Sequence, residues 1–352
     1  MKAMILAAGL GMRMRPLTDH CPKPLLPLLV QPILDHILAQ LPRHGIRDVI
    51  INLHHHADQL ARWLGDGSRW GVHLLLSFEP EILGTAGALK RVEPLLQDAP
   101  FFVLNADVLI DVDLQALWRW HCQRQALVTM VLRPDPAARS YGAVLVDADE
   151  RVRLINGRPS THVSATGEET MFACVQVVEP QVLERIPPGC FSMTTSEVYP
   201  ALIERHEAVY GYRYTGYWMD IGTPERYLQA HWDMLDGVLG DAWVQRLPTG
   251  SRVVLCQDAT PSVAPGVTLV PPVVLGPDVE LAPDVHLGPY AVLGAGCRLA
   301  SGAVVRESVL WEGVQVGAGA QVRGCTLATG VQVPAANTLV QAVLNRGARD
   351  RR

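Results

Sequence analysis

The sequence predicts an α/β domain on a doubly wound, mixed but mostly parallel sheet, followed by a parallel β-helix. Three observations carry that prediction. From Met1 to about Leu239, short apolar runs alternate with amphipathic stretches, as in a sheet covered by helices on both faces. After about Gly240 the helical periodicity stops, and Val, Gly, Pro and Ala dominate. Within that region Leu275, Leu281, Leu287, Leu293 and Leu299 stand six residues apart, a short period typical of stacked β-helical coils.

Taken in order, the runs Met4 to Ala8, Val49 to Leu53, Val72 to Phe78, Phe101 to Leu104 and Leu127 to Leu132 read as strands. The stretches Ile33 to Leu41, Ala57 to Leu64, Ala86 to Leu96 and Leu114 to Gln123 read as helices between them. Sheets of this kind bind ligands beyond the carboxyl ends of their strands, so the polar residues just after each strand matter most. In the later region each repeated leucine is followed by Gly or Ala (Gly276, Ala282, Gly288, Gly294, Ala300). Four positions after each leucine comes a small or β-branched residue: Val279, Val285, Ala291, Cys297 and Ala303. The leucines are expected to stack inward, coil on coil, and the small residues to allow sharp corners. The pattern runs on less regularly through Val305, Leu310, Val316, Leu327 and Val333. The expected organisation is an α/β domain over 1–240, a linker over 241–262, the β-helix over 263–340 and a tail over 341–352.

A chain of 352 residues exceeds what one core usually supports, in keeping with two domains. A net charge of −5 with 18% charged residues argues against a large nucleic-acid-binding face. The seven cysteines (Cys21, Cys122, Cys174, Cys190, Cys256, Cys297, Cys325) are odd in number and form no CxxC pair, which suits free thiols in a reducing compartment. The N-terminus has no signal-peptide pattern and no apolar stretch is long enough to span a membrane, so the expected location is the cytoplasm. Coil ends left open by a β-helix favour self-association, so a homo-oligomer is expected.

The chemistry is concentrated after the strands. The first strand leads into Ala7-Ala8-Gly9-Leu10-Gly11-Met12-Arg13-Met14-Arg15-Pro16-Leu17-Thr18, with Pro22-Lys23-Pro24 close behind. Gly9 and Gly11 let backbone amides approach a phosphate, Arg13 offers a planar fork to phosphate oxygens, and Lys23 adds a point charge. The loop lacks the Gly-Lys-Ser/Thr ending of a P-loop, and Met14 stands where the dinucleotide fingerprint needs a small residue.

Leu6 to Thr18 together with Pro22-Lys23-Pro24 closely resembles the signature of the sugar nucleotidyltransferase family, LAAGxGTRLxPLT followed by PK. Met12 replaces the usual threonine. The resemblance implies that Ala7, Ala8, Gly9, Gly11 and Arg13 hold a nucleoside triphosphate and that Lys23 neutralises the reacting phosphates. Leu83-Gly84-Thr85-Ala86-Gly87-Ala88-Leu89 resembles the family's base-reading loop, implying nucleotide contacts at Gly84, Thr85 and Ala86. Its form is closest to mannose-1-phosphate guanylyltransferases, so GTP is the expected nucleotide.

Asn105-Ala106-Asp107 follows a strand, and Trp218-Met219-Asp220-Ile221-Gly222-Thr223-Pro224-Glu225-Arg226-Tyr227-Leu228 precedes a new helix. Both resemble the family segments that supply metal-binding aspartates, which implies Mg²⁺ on Asp107 and Asp220, completed by phosphate oxygens and water. On the sugar side, Asn105, Gly142 in the Tyr141-Gly142 turn, and Arg158 are the expected sugar-phosphate contacts. Two departures stand out: Gly157-Arg158-Pro159 replaces the family's Glu-Lys-Pro, and Phe172-Ala173-Cys174 replaces Asn-Ala-Gly. The hexapeptide pattern resembles left-handed β-helix domains, and handedness is taken from that resemblance. The reading is therefore a left-handed β-helix behind an enzyme that makes an NDP-sugar and pyrophosphate. Its alternatives are a uridylyl- or other nucleotidyltransferase and a non-catalytic subunit binding nucleotide sugar. A β-helix acyltransferase site ranks lowest, since His286 is the sole histidine after residue 240. The run His54-His55-His56 is not arranged to converge on one ion, and the arginine-rich end, Arg346 to Arg352, reads as a solvated tail.

Overall fold

The computed structural model describes residues 1–136, 138–155, 158–159, 167–239, 253–256 and 259–346. Gly157, most of the expected linker and the end of the expected tail lie outside these residues. Contacts divide the chain into two compact units, Met1–Leu10 with Ile37–Trp218, and Gly11–His36 with Met219–Arg352.

The first unit is built on one mixed sheet. Its strands are β1 (Lys2–Leu6), β2 (Asp48–Leu53), β3 (His73–Phe78), β4 (Phe101–Asn105), β5 (Val128–Arg133), β6 (Ala143–Val146), β7 (Val152–Ile155), β8 (Glu168–Val178) and β9 (Val209–Arg213). The order β3-β2-β1-β4 is entirely parallel. Parallel strands need crossovers, here supplied by α1 (Ile33–Gln40), by α2 (Ala57–Leu64) and by α3 (Gly84–Arg91) with α4 (Glu93–Leu96). The expected single helix Ala86 to Leu96 is thus two helices, because Pro94 in the first turn of α4 has no amide to continue a ladder from α3. β5 runs on to α6 (Ala138–Tyr141), and α5 (Leu114–Arg124) precedes it.

In the other half of the sheet β8 pairs antiparallel with its neighbours while β9 runs parallel to β5, and of these strands only β5 was legible in the apolar runs. Eleven-residue β8 pairs with β6 along residues 168–171, with β4 along 175–178 and with β5 along 171–178. Its register against β5 shifts between Phe172 and Gln176, and Cys174 at the bulge has φ 60°. A two-residue strand, Arg158–Pro159, edges β7. The core of this unit packs Met4, Ile50, Val103 and Met130 of the sheet against Leu89 of α3 and Tyr199 and Leu202 of α7 (Tyr199–Glu204). Each such fully buried aliphatic side chain contributes about 1.5–3 kcal/mol.

In the second unit, the later strands stack into three parallel sheets, one per side of the coil. This is the predicted left-handed parallel β-helix. Leu275, Leu281, Leu287, Leu293, Leu299, Val305 and Leu310 are at most 2% exposed. Val279, Val285, Ala291, Cys297 and Ala303 are buried as well, so both positions of the hexapeptide face inward and fill the core. The loosening of the repeat has a geometric cause. Val273 pairs with Ala291, 18 residues on, but Ala291 pairs with Ser308 and Val309 with Thr326, 17 residues on. One side of each later coil is a residue short, always at the corner where Tyr290, Glu307, Gly324 and Gln341 share a left-handed φ. Helix α8 (Pro224–Leu235) and the segment Gly11–His36 belong to this unit, the latter with a small antiparallel pair, Pro27–Leu28 with Gln31–Pro32. No helix among the described residues is long and apolar enough to cross a membrane, and all seven cysteines are free thiols.

Candidate functional site

In the first unit the predicted residues cluster at the carboxyl ends of the parallel strands. Leu6 of β1 stands level with Asn52 on one side and Asn105 on the other. The chain then turns: Ala7 and Ala8 are buried and Gly9 is exposed. The Ala7 amide donates to Asn52 Oδ1 at 2.8 Å, and Asn52 Nδ2 donates to Glu79 Oε1 at 2.8 Å. The Leu83 amide donates to Glu79 Oε2 at 3.1 Å. This relay ties the end of β1 through β2 to the loop that opens α3. Neither Asn52 nor Glu79 was singled out by sequence reasoning. The available signal was a polar residue within, or directly after, an apolar strand. His54, of the histidine run, faces the Glu79 carbonyl through Nδ1 at 2.8 Å.

The opening of α3 is held by the protein itself. Gly84 has φ 73°, and a Cβ there would lie 2.4 Å from the Ser192 carbonyl oxygen. That oxygen accepts from the amides of Ala86 at 2.9 Å and Gly87 at 3.2 Å, while the Ser192 amide donates to Leu83 O at 2.9 Å. Thr85 Oγ1 lies 3.0 Å from Thr194 Oγ1 and accepts from the Thr194 amide at 2.9 Å. The glycine at 84 admits the backbone of residue 192, and no local pattern in the sequence marks Ser192.

Asn105 closes β4, the Ala106 amide donates back to Leu6 O at 3.0 Å, and Asp107 follows, half-buried at the sheet edge. On the other flank, Gly142 has φ 89° between α6 and β6. Tyr141 meets Trp218 edge-on at 5.6 Å, and Trp218 Nε1 donates to Ala173 O at 3.1 Å. Residues 141, 173 and 218 therefore form one wall. Cys174, a non-glycine residue at φ 60°, is strained by about 1 kcal/mol. Arg158 lies in the edge strand opposite Ile155.

The second unit brings the remaining predicted residues together. Gly11, with φ 62°, starts a single turn Met12–Met14 that presents Arg13, and Thr18 Oγ1 donates to Gly11 O at 2.9 Å. Lys23 begins another short turn, Lys23–Leu25, and is buried. Asp220 Oδ2 is approached by Arg226 at 3.3 Å and by Arg13 at 3.9 Å. Gly222 makes this possible: a Cβ there would stand 2.6 Å from Asp220 Oδ2 and 2.9 Å from the Arg13 guanidinium. Thr223 then caps α8, its hydroxyl accepting from the Arg226 amide at 3.4 Å. Arg226 is a further residue the sequence reading did not assign. Arg13 is 68% exposed, so its pair with Asp220 is a weak tether that leaves the guanidinium able to reach an anion. Behind these residues burial pushes the Cys21 thiol up to about 12. Burial, and secondarily the charge of His36, pull His231 down to about 3.

Among the described residues no group of three or more His, Cys, Asp or Glu converges to hold a metal. A divalent ion here would take one or two carboxylates and complete its shell with phosphate oxygens and water. That donor set is all oxygen, hard and anionic, and it fits Mg²⁺.

A family model described as nucleotidyl transferase matches residues 2–237, and one described as the GlmU-like C-terminal hexapeptide matches residues 289–349. Over 230 residues the chain is 37% identical to the mannose-1-phosphate guanylyltransferase catalytic subunit beta of Drosophila pseudoobscura pseudoobscura, covering 64% of this chain and 60% of that one. Over 253 residues it is 32% identical to the UTP–glucose-1-phosphate uridylyltransferase of a Synechocystis species, covering 68% of this chain and 63% of that one. The match thus spans less than two thirds of the length of these relatives. The fold is shared with the crystal structure of HddC from Yersinia pseudotuberculosis, at a TM-score of 0.57 and 24% identity over 66% of this chain and 99% of that one. With the family model covering most of its length and the family's motifs at its strand ends, the chain belongs to the nucleotidyl transferase family, extended by a hexapeptide-repeat β-helix.

Proposed function

We propose that the protein joins a nucleoside triphosphate to a sugar 1-phosphate and releases pyrophosphate. The observation that carries the reading is the packing of Arg13, Arg226 and Asp220 around a glycine, Gly222, in a space one methyl group would fill. Phosphoryl-type transfer needs little covalent help from a protein. A sugar phosphate oxygen, already ionised at neutral pH, attacks the α-phosphorus in line. The new O–P bond forms as the bond to the bridging oxygen breaks, and pyrophosphate leaves with the electron pair. Arg13 and the backbone of Ala7, Ala8, Gly9 and Gly11 hold the triphosphate, and Lys23 neutralises the reacting phosphates. Gly84 and Thr85 face the base through their partly exposed surfaces, Ala86, fully buried, backs that opening rather than meeting the base directly, and Asn105, Gly142 and Arg158 hold the sugar phosphate. Asp107 and Asp220 would hold Mg²⁺, which when bound screens charge on the phosphates.

GTP and mannose 1-phosphate are the proposed pair, supported by the LGTAGAL and WMDIGTPERYL segments and by the guanylyltransferase relative. UTP with another sugar 1-phosphate is the second reading, favoured by the uridylyltransferase relative and by the altered residues at 158 and 174. We assign the chemistry to residues 1–240 and self-association to the β-helix over 263–340. A cytoplasmic setting supplies both substrates and keeps the seven thiols reduced. The test is pyrophosphate release with Mg²⁺ from each triphosphate against mannose-, glucose- and heptose-1-phosphates, with Asp107→Asn as control. Release with GTP and mannose 1-phosphate, reduced about a thousandfold in the control, is the expected result. Release with UTP alone would transfer the assignment to the second reading, and silence across the panel would sink both.

A further inference from the structure

We propose that the β-helix sets the position of the phosphate-binding segment through two side chains, Trp311 and Asn345. The inference rests on the nucleotidyltransferase reading, since it makes these residues positioning residues for that reaction.

Residues 12–29 leave Gly11, pass Arg13 and Lys23, and reach the small pair Pro27–Leu28 with Gln31–Pro32. The segment is pinned near both ends by groups 200 or more residues away in sequence. Near its start, Asn345 Nδ2 donates to the Pro16 carbonyl at 3.0 Å, three residues beyond Arg13. Asn345 directly follows the strand Val343–Leu344. Near its end, Tyr227 of α8, fully buried, donates its hydroxyl proton to the Pro27 carbonyl, and His231, one turn on, accepts from the Leu29 amide at 3.1 Å. Tyr227 is in turn held by the β-helix: Trp311, 6% exposed and next to the strand Ser308–Leu310, donates Nε1–H to the tyrosine oxygen at 3.0 Å.

The direction of this relay is fixed by chemistry. An indole N–H can only donate, so the Tyr227 oxygen must accept from it, and its single proton is committed to Pro27. Helix α8 also begins four residues after Asp220 and carries Arg226 onto Asp220 Oδ2. One coil of the β-helix therefore fixes the helix behind Asp220 and the end of the Lys23 segment, while a later one fixes the backbone beside Arg13. Buried polar bridges specify position more sharply than apolar contact does, and a displacement of about 1 Å at a reacting group costs up to a hundredfold in rate.

The test uses the full chain with Trp311→Phe, Asn345→Ala and the double variant. Arg323→Gln, which breaks only the exposed Arg323–Glu307 pair, is the control. Hydrogen exchange of residues 11–26 and the kinetic constants of pyrophosphate release are read side by side. Each single variant is expected to speed exchange over 11–26 about fivefold and to raise KM for the triphosphate about fivefold, with the coil peptides of 273–333 still protected and the control unchanged. Unchanged exchange over 11–26, or faster exchange with unchanged kinetic constants, overturns the inference. Should Trp311→Phe lose coil protection, Asn345→Ala alone decides, since it lies at the end of the last described coil. A wild-type chain that releases no pyrophosphate overturns the functional reading instead, and exchange together with calorimetric triphosphate binding then decides whether these residues position the loop.

Discussion

A Cβ placed on Gly9, after β1, would meet nothing within 4 Å among the described residues, whereas the same atom on Gly84, at the opening of α3, would stand 2.4 Å from the Ser192 carbonyl oxygen. The two loops look alike in sequence, each a glycine-bearing turn after a strand. In the first, the glycine leaves room for something outside the protein, and the neighbouring Arg13 is exposed and only loosely tethered at 3.9 Å. In the second, the glycine leaves room for the protein's own backbone, and the loop's donors and acceptors go to Ser192, Thr194 and Glu79. A glycine motif therefore reports that backbone must come close, not what it comes close to. The two cases separate experimentally, because one should govern activity and the other stability.

The sharpest contrast is Arg13→Met. It should lower kcat/KM for pyrophosphate release by about 10²–10³ while leaving the melting temperature nearly unchanged, because an exposed pair at this distance adds little to stability. A variant that melts early and keeps its activity would break the comparison on its functional side. Gly84→Ala should act first on stability. A side chain at φ 73° pressed against a carbonyl costs about 2–4 kcal/mol, read as a lower denaturation midpoint with an unchanged slope. A midpoint equal to wild type would show that the loop yields freely and that its glycine is not packed as described.

Acid should weaken the unit that carries Arg13 and Asp220. His231 is buried neutral, with its pKa held at about 3. Its Nδ1 accepts the Leu29 amide, so protonation would break that bond. Because the folded pKa lies below the unfolded one, the unfolded chain takes up the proton first as pH falls below about 6.5. Stability is therefore full above that value and declines below it, by about 2 kcal/mol for this group at pH 5. Denaturation at pH 7 and pH 5, in wild type and in His231→Gln, isolates the effect: the variant should be less stable at pH 7 but lose less on acidification. Equal losses in both would remove His231 from the account. The smallest effect is expected for Gly9→Ala, with stability within about 0.5 kcal/mol of wild type and triphosphate affinity reduced about tenfold. Calorimetric titration that finds wild-type affinity would place the phosphates elsewhere.

Much of this molecule was legible before any coordinates. The apolar runs located β1 to β5 to within a residue or two, because buried parallel strands are continuous and apolar. The hexapeptide spacing marked the β-helix, because every coil must repeat the same inward side chain. The strands β6, β7 and β8 were missed, since β6 is only four residues long, β7 and β8 mix polar and apolar residues, and β8 is bent by the bulge at Cys174. The signature loop and the segment around Asp220 were found by motif. Asn52, Glu79, Ser192 and Arg226 were not, because each acts on a partner that local pattern does not reveal.

By itself, then, the sequence determined the periodicities, and with them the strands, the coils and the chemical inventory of Arg13, Lys23, Asp107 and Asp220. Those properties depend on neighbours a few residues apart. Only the tertiary structure decided which glycines face open space and which face Ser192. It alone placed Arg226 beside Asp220 and joined Pro16 and Pro27 to a β-helix some 300 residues later. Hydrogen bonds and close contacts act over about 3 Å whatever the separation along the chain, so their pairings exist only once the fold has brought the partners together.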